Sequence, residues 1–69
     1  MEKVKAQFGK QLRELRHKHN WTQEELADKA NMHSTYIGQI ERGVRNPSLV
    51  NLYKLAKALK VSGGQLLPF

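Results

Sequence analysis

The sequence has no cysteine, so neither a disulfide nor a thiolate-held metal can staple it. That absence fits a reducing compartment such as the cytoplasm. No apolar run approaches the roughly 20 residues needed to span a bilayer. The N-terminal stretch MEKVKAQFGK also lacks the apolar core of a secretory signal. A soluble, cytoplasmic protein is expected. Catalytic signatures are missing too. No serine lies in a nucleophile motif, no glycine-rich loop resembles a phosphate cradle, and Gly63–Gly64 is an isolated pair. The histidines are His17, His19 and His33. His17 and His19 are two apart, so on a helix they point in different directions and cannot grip a metal together. No enzyme activity, metal or cofactor is expected.

Positive charge is what the chain has in excess. Twelve Lys and Arg face six Asp and Glu, giving a net charge of +6 and a sequence pI near 10.0. Residues 1–20 carry six basic groups against two acids, residues 21–43 two against four, and residues 44–69 four against none. Such a balance suits a polyanionic partner, because neutralising phosphates drives much of nucleic-acid affinity. The basic groups flank a slightly acidic centre, as expected if phosphates are gripped around a segment that reads bases. Lysines scattered over several helices do not make a membrane-surface anchor.

A chain of 69 residues supports one domain, residues 1–69. At this size about 60% of the unfolded surface is buried, so the core is small. Val4, Phe8, Leu12 and Leu15 recur at helical spacing and predict a first helix from about Lys3 to Lys18, with Gly9 a weak point inside it. Trp21 is expected to pack beneath the next unit. Asn46 as N-cap and Pro47 at the first helical position open a fourth helix. It turns Leu49, Leu52, Leu55, Ala56 and Leu59 inward and Lys54, Lys57 and Lys60 outward. Val61 and Ser62 begin a short fifth helix holding Gln65, Leu66 and Leu67, and Pro68 ends it. No strand is expected, and the fold class is all-α.

Between them lies TQEELADKANMHSTYIGQIERG, from Thr22 to Gly43. Thr22 and Glu25 form a capping box at the start of a second helix, which ends near Ala30. Asn31 tolerates the left-handed backbone of a tight turn. A third helix starts near Ser34, capped by His33 or Ser34, and stops at Gly43. Leu26, Ala27, Ala30, Met32, Ile37 and Ile40 supply apolar contacts, with small Ala27 where two helices cross. Small residue, turn residue and polar outer face together fit a helix-turn-helix, whose second helix enters the DNA major groove.

From Phe8 to Leu67 the chain resembles the Cro/phage-repressor (Xre) type of helix-turn-helix domain. The resemblance is carried by W-T-Q-E-E-L-A, Y-I-G-Q-I-E-R-G and R-N-P-S-L-x-x-L-x-K-L-A-x-A-L-x-V-S. It implies a compact five-helix bundle that binds double-stranded DNA, as a homodimer on a palindromic operator, to regulate transcription in the manner of a repressor. Ser34, Thr35 and Gln39 match base-reading positions. Glutamine pairs bidentately with adenine, while hydroxyls donate or accept and a threonine methyl meets the thymine methyl. The serine is shorter than the reader many relatives carry at that position. Gly38 beside them is expected to allow close approach to the groove. Gln23, Tyr36, Arg42, Arg45 and Asn46 match DNA-backbone contacts, and a helix N-terminus such as that at Gln23 is itself an anion site. Arg16 and Glu41 match an ion pair between the first and third helices. Leu66, Leu67 and Phe69 are expected at a dimer seam formed by helix five and the end of helix four.

The same helical fold also occurs in antitoxins and protein–protein adaptors, so such a module is the alternative. Polar groups at reading-helix spacing favour DNA. No ligand-sensing domain fits into the chain. It is expected to be a minimal regulator, like controller proteins of restriction–modification systems or small phage repressors, or else a fragment of a longer chain.

Overall fold

A computed structural model of the chain describes residues 2–69, with Glu2 represented by its backbone; Met1, the first residue of the expected domain, lies outside them. Five helices follow one another: α1 Glu2–Lys18, α2 Gln23–Ala30, α3 Ser34–Glu41, α4 Leu49–Leu59 and α5 Gly63–Leu66. No strand occurs among the described residues. The core takes Phe8 and Leu12 from α1, Leu26, Ala27 and Ala30 from α2, and Ile37 and Ile40 from α3. Leu55 and Leu59 of α4 and Leu66 of α5 close it. Each helix buries one stripe and leaves the opposite face to solvent, the arrangement expected of amphipathic segments around a small core.

The helix ends are set by local chemistry. Thr22 Oγ1 accepts from the Glu25 backbone N at 3.0 Å, and Glu25 Oε1 accepts from the Thr22 N–H at 2.8 Å, completing the expected capping box. Ser62 and Gln65 repeat that reciprocal motif at the start of α5. Asn31 adopts φ 56°, the left-handed turn between α2 and α3, and Asn20 at φ 58° does the same after α1. Asparagine accepts this conformation more readily than most side chains. Gly43 ends the α3 turn at φ 76°, and a Cβ there would lie 3.0 Å from the Ala6 Cα.

Four expectations change. Helix α4 starts later than Asn46–Pro47 suggests. Ser48 is its N-cap, its Oγ accepting from the Asn51 N–H at 3.1 Å, which leaves Pro47 outside the helix. Leu49 therefore does not turn inward: it is 82% exposed, while Leu55 and Leu59 carry the buried stripe. Val4 is 41% exposed, because it lines an open recess with Asn46, Pro47 and Phe69 instead of packing in the closed core. Gly9 does not weaken α1 into a break. It marks the closest approach of α1 to α3, where a Cβ would lie 2.5 Å from the Ile40 carbonyl oxygen.

Candidate nucleic-acid interface

Helix α3 is fixed by a buried polar cluster at its C-terminal end. Glu41, the last residue of α3, is buried with Arg16 of α1. The guanidinium grips the carboxylate with two bonds, Nε to Oε2 at 2.7 Å and Nη2 to Oε1 at 2.9 Å. Its Nη1 donates to the Trp21 carbonyl at 2.8 Å, tying the α1–α2 turn to the same point. Gln23 Nε2 adds a bond to Glu41 Oε1 at 3.1 Å, and Arg13 Nη2 donates to the Glu41 carbonyl at 3.1 Å. Burial pushes the Glu41 carboxyl up. The hydrogen bonds from Arg16 and Gln23, with the charges of Arg16 and Arg13, more than reverse that and hold it below the ordinary carboxylate range. The Glu41 hydrogen bond in turn raises the Arg16 guanidinium further. The cluster is an ionised, fully bonded pair, the arrangement a buried charge requires.

This network changes the reading of two residues. Gln23 stands at the start of α2 as expected, but its amide is turned toward Glu41. Gly38 has little exposed surface of its own and lies beneath the Gln23 and Arg42 side chains. A Cβ there would lie 3.2 Å from Gln23 Oε1 and 3.4 Å from Arg42 Nη1, so its bareness gives those two side chains room.

Outside this anchor, α3 forms a crest between two open concavities. The first, about 580 Å³, is lined by Thr22, Gln23 and Glu24 at the start of α2, by Ser34, Thr35, Gly38 and Arg42 of the α3 turn, and by Arg16. The second, about 490 Å³, is lined by Asn31, Met32, His33, Thr35, Tyr36, Gln39, Arg45, Asn51 and Lys54. The three expected base readers are thus divided: Ser34 faces one side, Gln39 the other, and Thr35 alone borders both. Arg42 and Arg45 fall on opposite flanks in the same way. Tyr36 is half-buried, with Arg45 lying 5.0 Å over its ring. Its hydroxyl accepts from Asn51 Nδ2 at 3.0 Å.

Asn46 is not gathered with the others. It lines a separate apolar recess with Val4, Phe8, Pro47 and Phe69, because successive side chains of the non-helical Arg45–Asn46 step diverge. Leu66, expected at the dimer seam, is 1% exposed and belongs to the core. Asn51 and Lys54, absent from the expected contacts, line the α3 flank from α4. Their spacing of three places both on one helical face, and packing alone decides that this face meets α3.

Two short helices joined by the left-handed Asn31 turn, with Arg42 and Arg45 on opposite flanks of the second, define a helix-turn-helix protein, and comparison with known proteins agrees. The helix-turn-helix family model matches residues 12–66. The chain belongs to the Xre/Cro-like helix-turn-helix family of DNA-binding transcription regulators. It is 46% identical over 67 residues to the control protein C.BamHI of Bacillus amyloliquefaciens, covering 96% of this chain and 83% of the relative. It is 42% identical over 64 residues to the control protein C.SmaI of Serratia marcescens, covering 93% and 76%. The crystal structure of the restriction-modification controller protein C.AhdI from Aeromonas hydrophila superposes with a TM-score of 0.89 at 44% identity. That match covers 91% of this chain and 96% of the controller. The family is one of regulators, not enzymes. No helix is long and apolar enough to cross a membrane among the described residues.

Proposed function

We propose that the protein is a cytoplasmic, repressor-like regulator of restriction-modification genes that reads DNA with α3 as a homodimer. The crest of α3 between two arginine-bearing concavities is the observation that carries the reading. A major groove about 12 Å wide admits one helix and leaves a phosphate strand on either side. In that pose Thr35 and Gln39 meet base edges, with Ser34 closest to the α2 flank. Arg42 with the α2 N-terminus meets one strand, and Arg45 with Tyr36 meets the other. The resemblance to controller proteins supports the regulated gene class.

The dimer rests on apolar surface along α4. Leu49 is 82% exposed, Tyr53 64% and Phe69 71%. Leu49 and Tyr53 border an apolar groove with Leu52, Ala56, Gly63, Leu66 and Leu67. A second copy meeting this surface buries it and sets two reading helices about one DNA turn apart. The seam then runs along α4 with Leu67 and Phe69, and Leu66 lines its groove from the core side.

Selection of bound duplexes from random DNA, with binding measured across salt, tests this reading. The expected result is a palindromic consensus and an affinity falling by about 0.9 log unit per log unit of salt for each phosphate neutralised. Arg45→Ala flattens that slope by about one unit on every duplex. Recovery of no consensus, with weak salt dependence, overturns the reading in favour of an adaptor.

A further inference from the structure

Asn51 has no assigned part in DNA binding, yet it joins two elements of the interface. Its backbone N–H donates to Ser48 Oγ at 3.1 Å in the α4 cap, and its side-chain Nδ2 donates to the Tyr36 hydroxyl at 3.0 Å. The Tyr36 ring in turn carries the Arg45 guanidinium at 5.0 Å. A phenol hydroxyl has one proton to give and lone pairs to accept with, whereas an amide NH₂ can only donate. Asn51 therefore occupies an acceptor position of the hydroxyl and leaves its proton free for another partner. The concavity around it is lined by Gln39, Arg45 and Lys54 among others, with no Asp or Glu in the lining. An anionic oxygen is the acceptor such a wall favours.

We propose that Asn51 is a positioning residue for DNA binding. It orients the Tyr36 hydroxyl as a donor to a phosphate oxygen and steadies the ring on which Arg45 rests. The inference depends on the DNA-binding reading above. It differs from a purely structural role in what an introduced negative charge does. At this position a carboxylate accepts the hydroxyl proton itself, turning it away from phosphate, and adds a negative charge beside the backbone.

The test is a double-mutant cycle on the selected duplex, using wild type, Asn51→Ala, Tyr36→Phe and the double variant, with Asn51→Asp as an isosteric fifth protein. Thermal melts accompany each binding curve. The expected result is a loss of affinity of about 2- to 10-fold for Asn51→Ala, the size of one hydrogen bond. The double variant is expected to bind no more weakly than Tyr36→Phe, because Asn51 acts through the hydroxyl. Asn51→Asp is expected to bind more weakly than Asn51→Ala while keeping its melting temperature. Independent losses that multiply in the double variant overturn the proposal, as does an Asn51→Asp protein that binds as well as wild type. In both of those outcomes the wild type still selects its duplex, so the DNA-binding reading stands. A wild type that selects no duplex overturns both.

Discussion

Glu41 is the residue on which the reading helix hangs. It is 3% exposed and bonded by Arg16 and Gln23. Its folded pKa is lowered, so the unfolded chain binds the extra proton as pH falls. The stabilisation is thus complete above the unfolded value, near 4.5, and is lost as pH drops through the lower folded value. Thermal melts from pH 7 to pH 3 should show wild type losing its advantage over Glu41→Gln across that acid window. Removing the partner is harsher: Arg16→Ala strips the buried carboxylate of its two-pronged partner, leaving Arg13 at 3.8 Å and Gln23, and should cost about 3–5 kcal/mol, read as a lower denaturant midpoint. Gln39 lies on the solvent side of the same helix, where bases, not packing, decide its worth. Gln39→Ala should relax preference at one base position by about 1–3 kcal/mol while leaving the melting temperature in place. An equal loss on every duplex would remove it from the readers.

The elements were legible where local chemistry decides them and misread where packing does. The Thr22–Glu25 box and the Asn31 turn depend on residues a few positions apart, and they stand as the sequence predicts. Asn46–Pro47 suggests a start of α4 two residues before the observed one, because a local cap motif does not show that Ser48 takes the cap instead. The competition ends with Ser48 bonded to Asn51, whose side chain is also bonded to Tyr36 of α3. Gly9 shows the same limit. Helix propensity alone says that Gly9→Ala gains about 1 kcal/mol. The α1–α3 approach, with a Cβ placed 2.5 Å from the Ile40 carbonyl, reverses the sign. Chemical denaturation should find the variant destabilised by about 1–3 kcal/mol, the usual cost of overpacking.

At the scale of the whole molecule, basic and acidic segments are rearranged into a working surface. The slightly acidic Thr22–Gly43 unit supplies the crest of α3, while Arg45 and Lys54 come from beyond it and line its flank. Exposed Leu49 and Tyr53 lie together on α4, a patch that a monomer gains nothing by leaving in water. Leu49→Asp should shift the sedimentation equilibrium toward monomer and weaken binding to a palindrome far more than binding to a single half-site. A variant that stays dimeric would move the seam elsewhere.

The order of residues is enough to specify the all-α fold, the helix-turn-helix and its caps and, through the family resemblance, the Arg16–Glu41 pair. Those features rest on periodicity, neighbouring residues or a motif. Only the tertiary structure decided that Gln23 turns its amide to Glu41, that Asn46 and Arg45 part company, and that Ser34 and Gln39 lie on different flanks of α3. It also decided that Leu49, not Leu66, is offered to solvent. Each of these depends on which helix lies across from a side chain, and one chain segment does not specify the partner that packs against it.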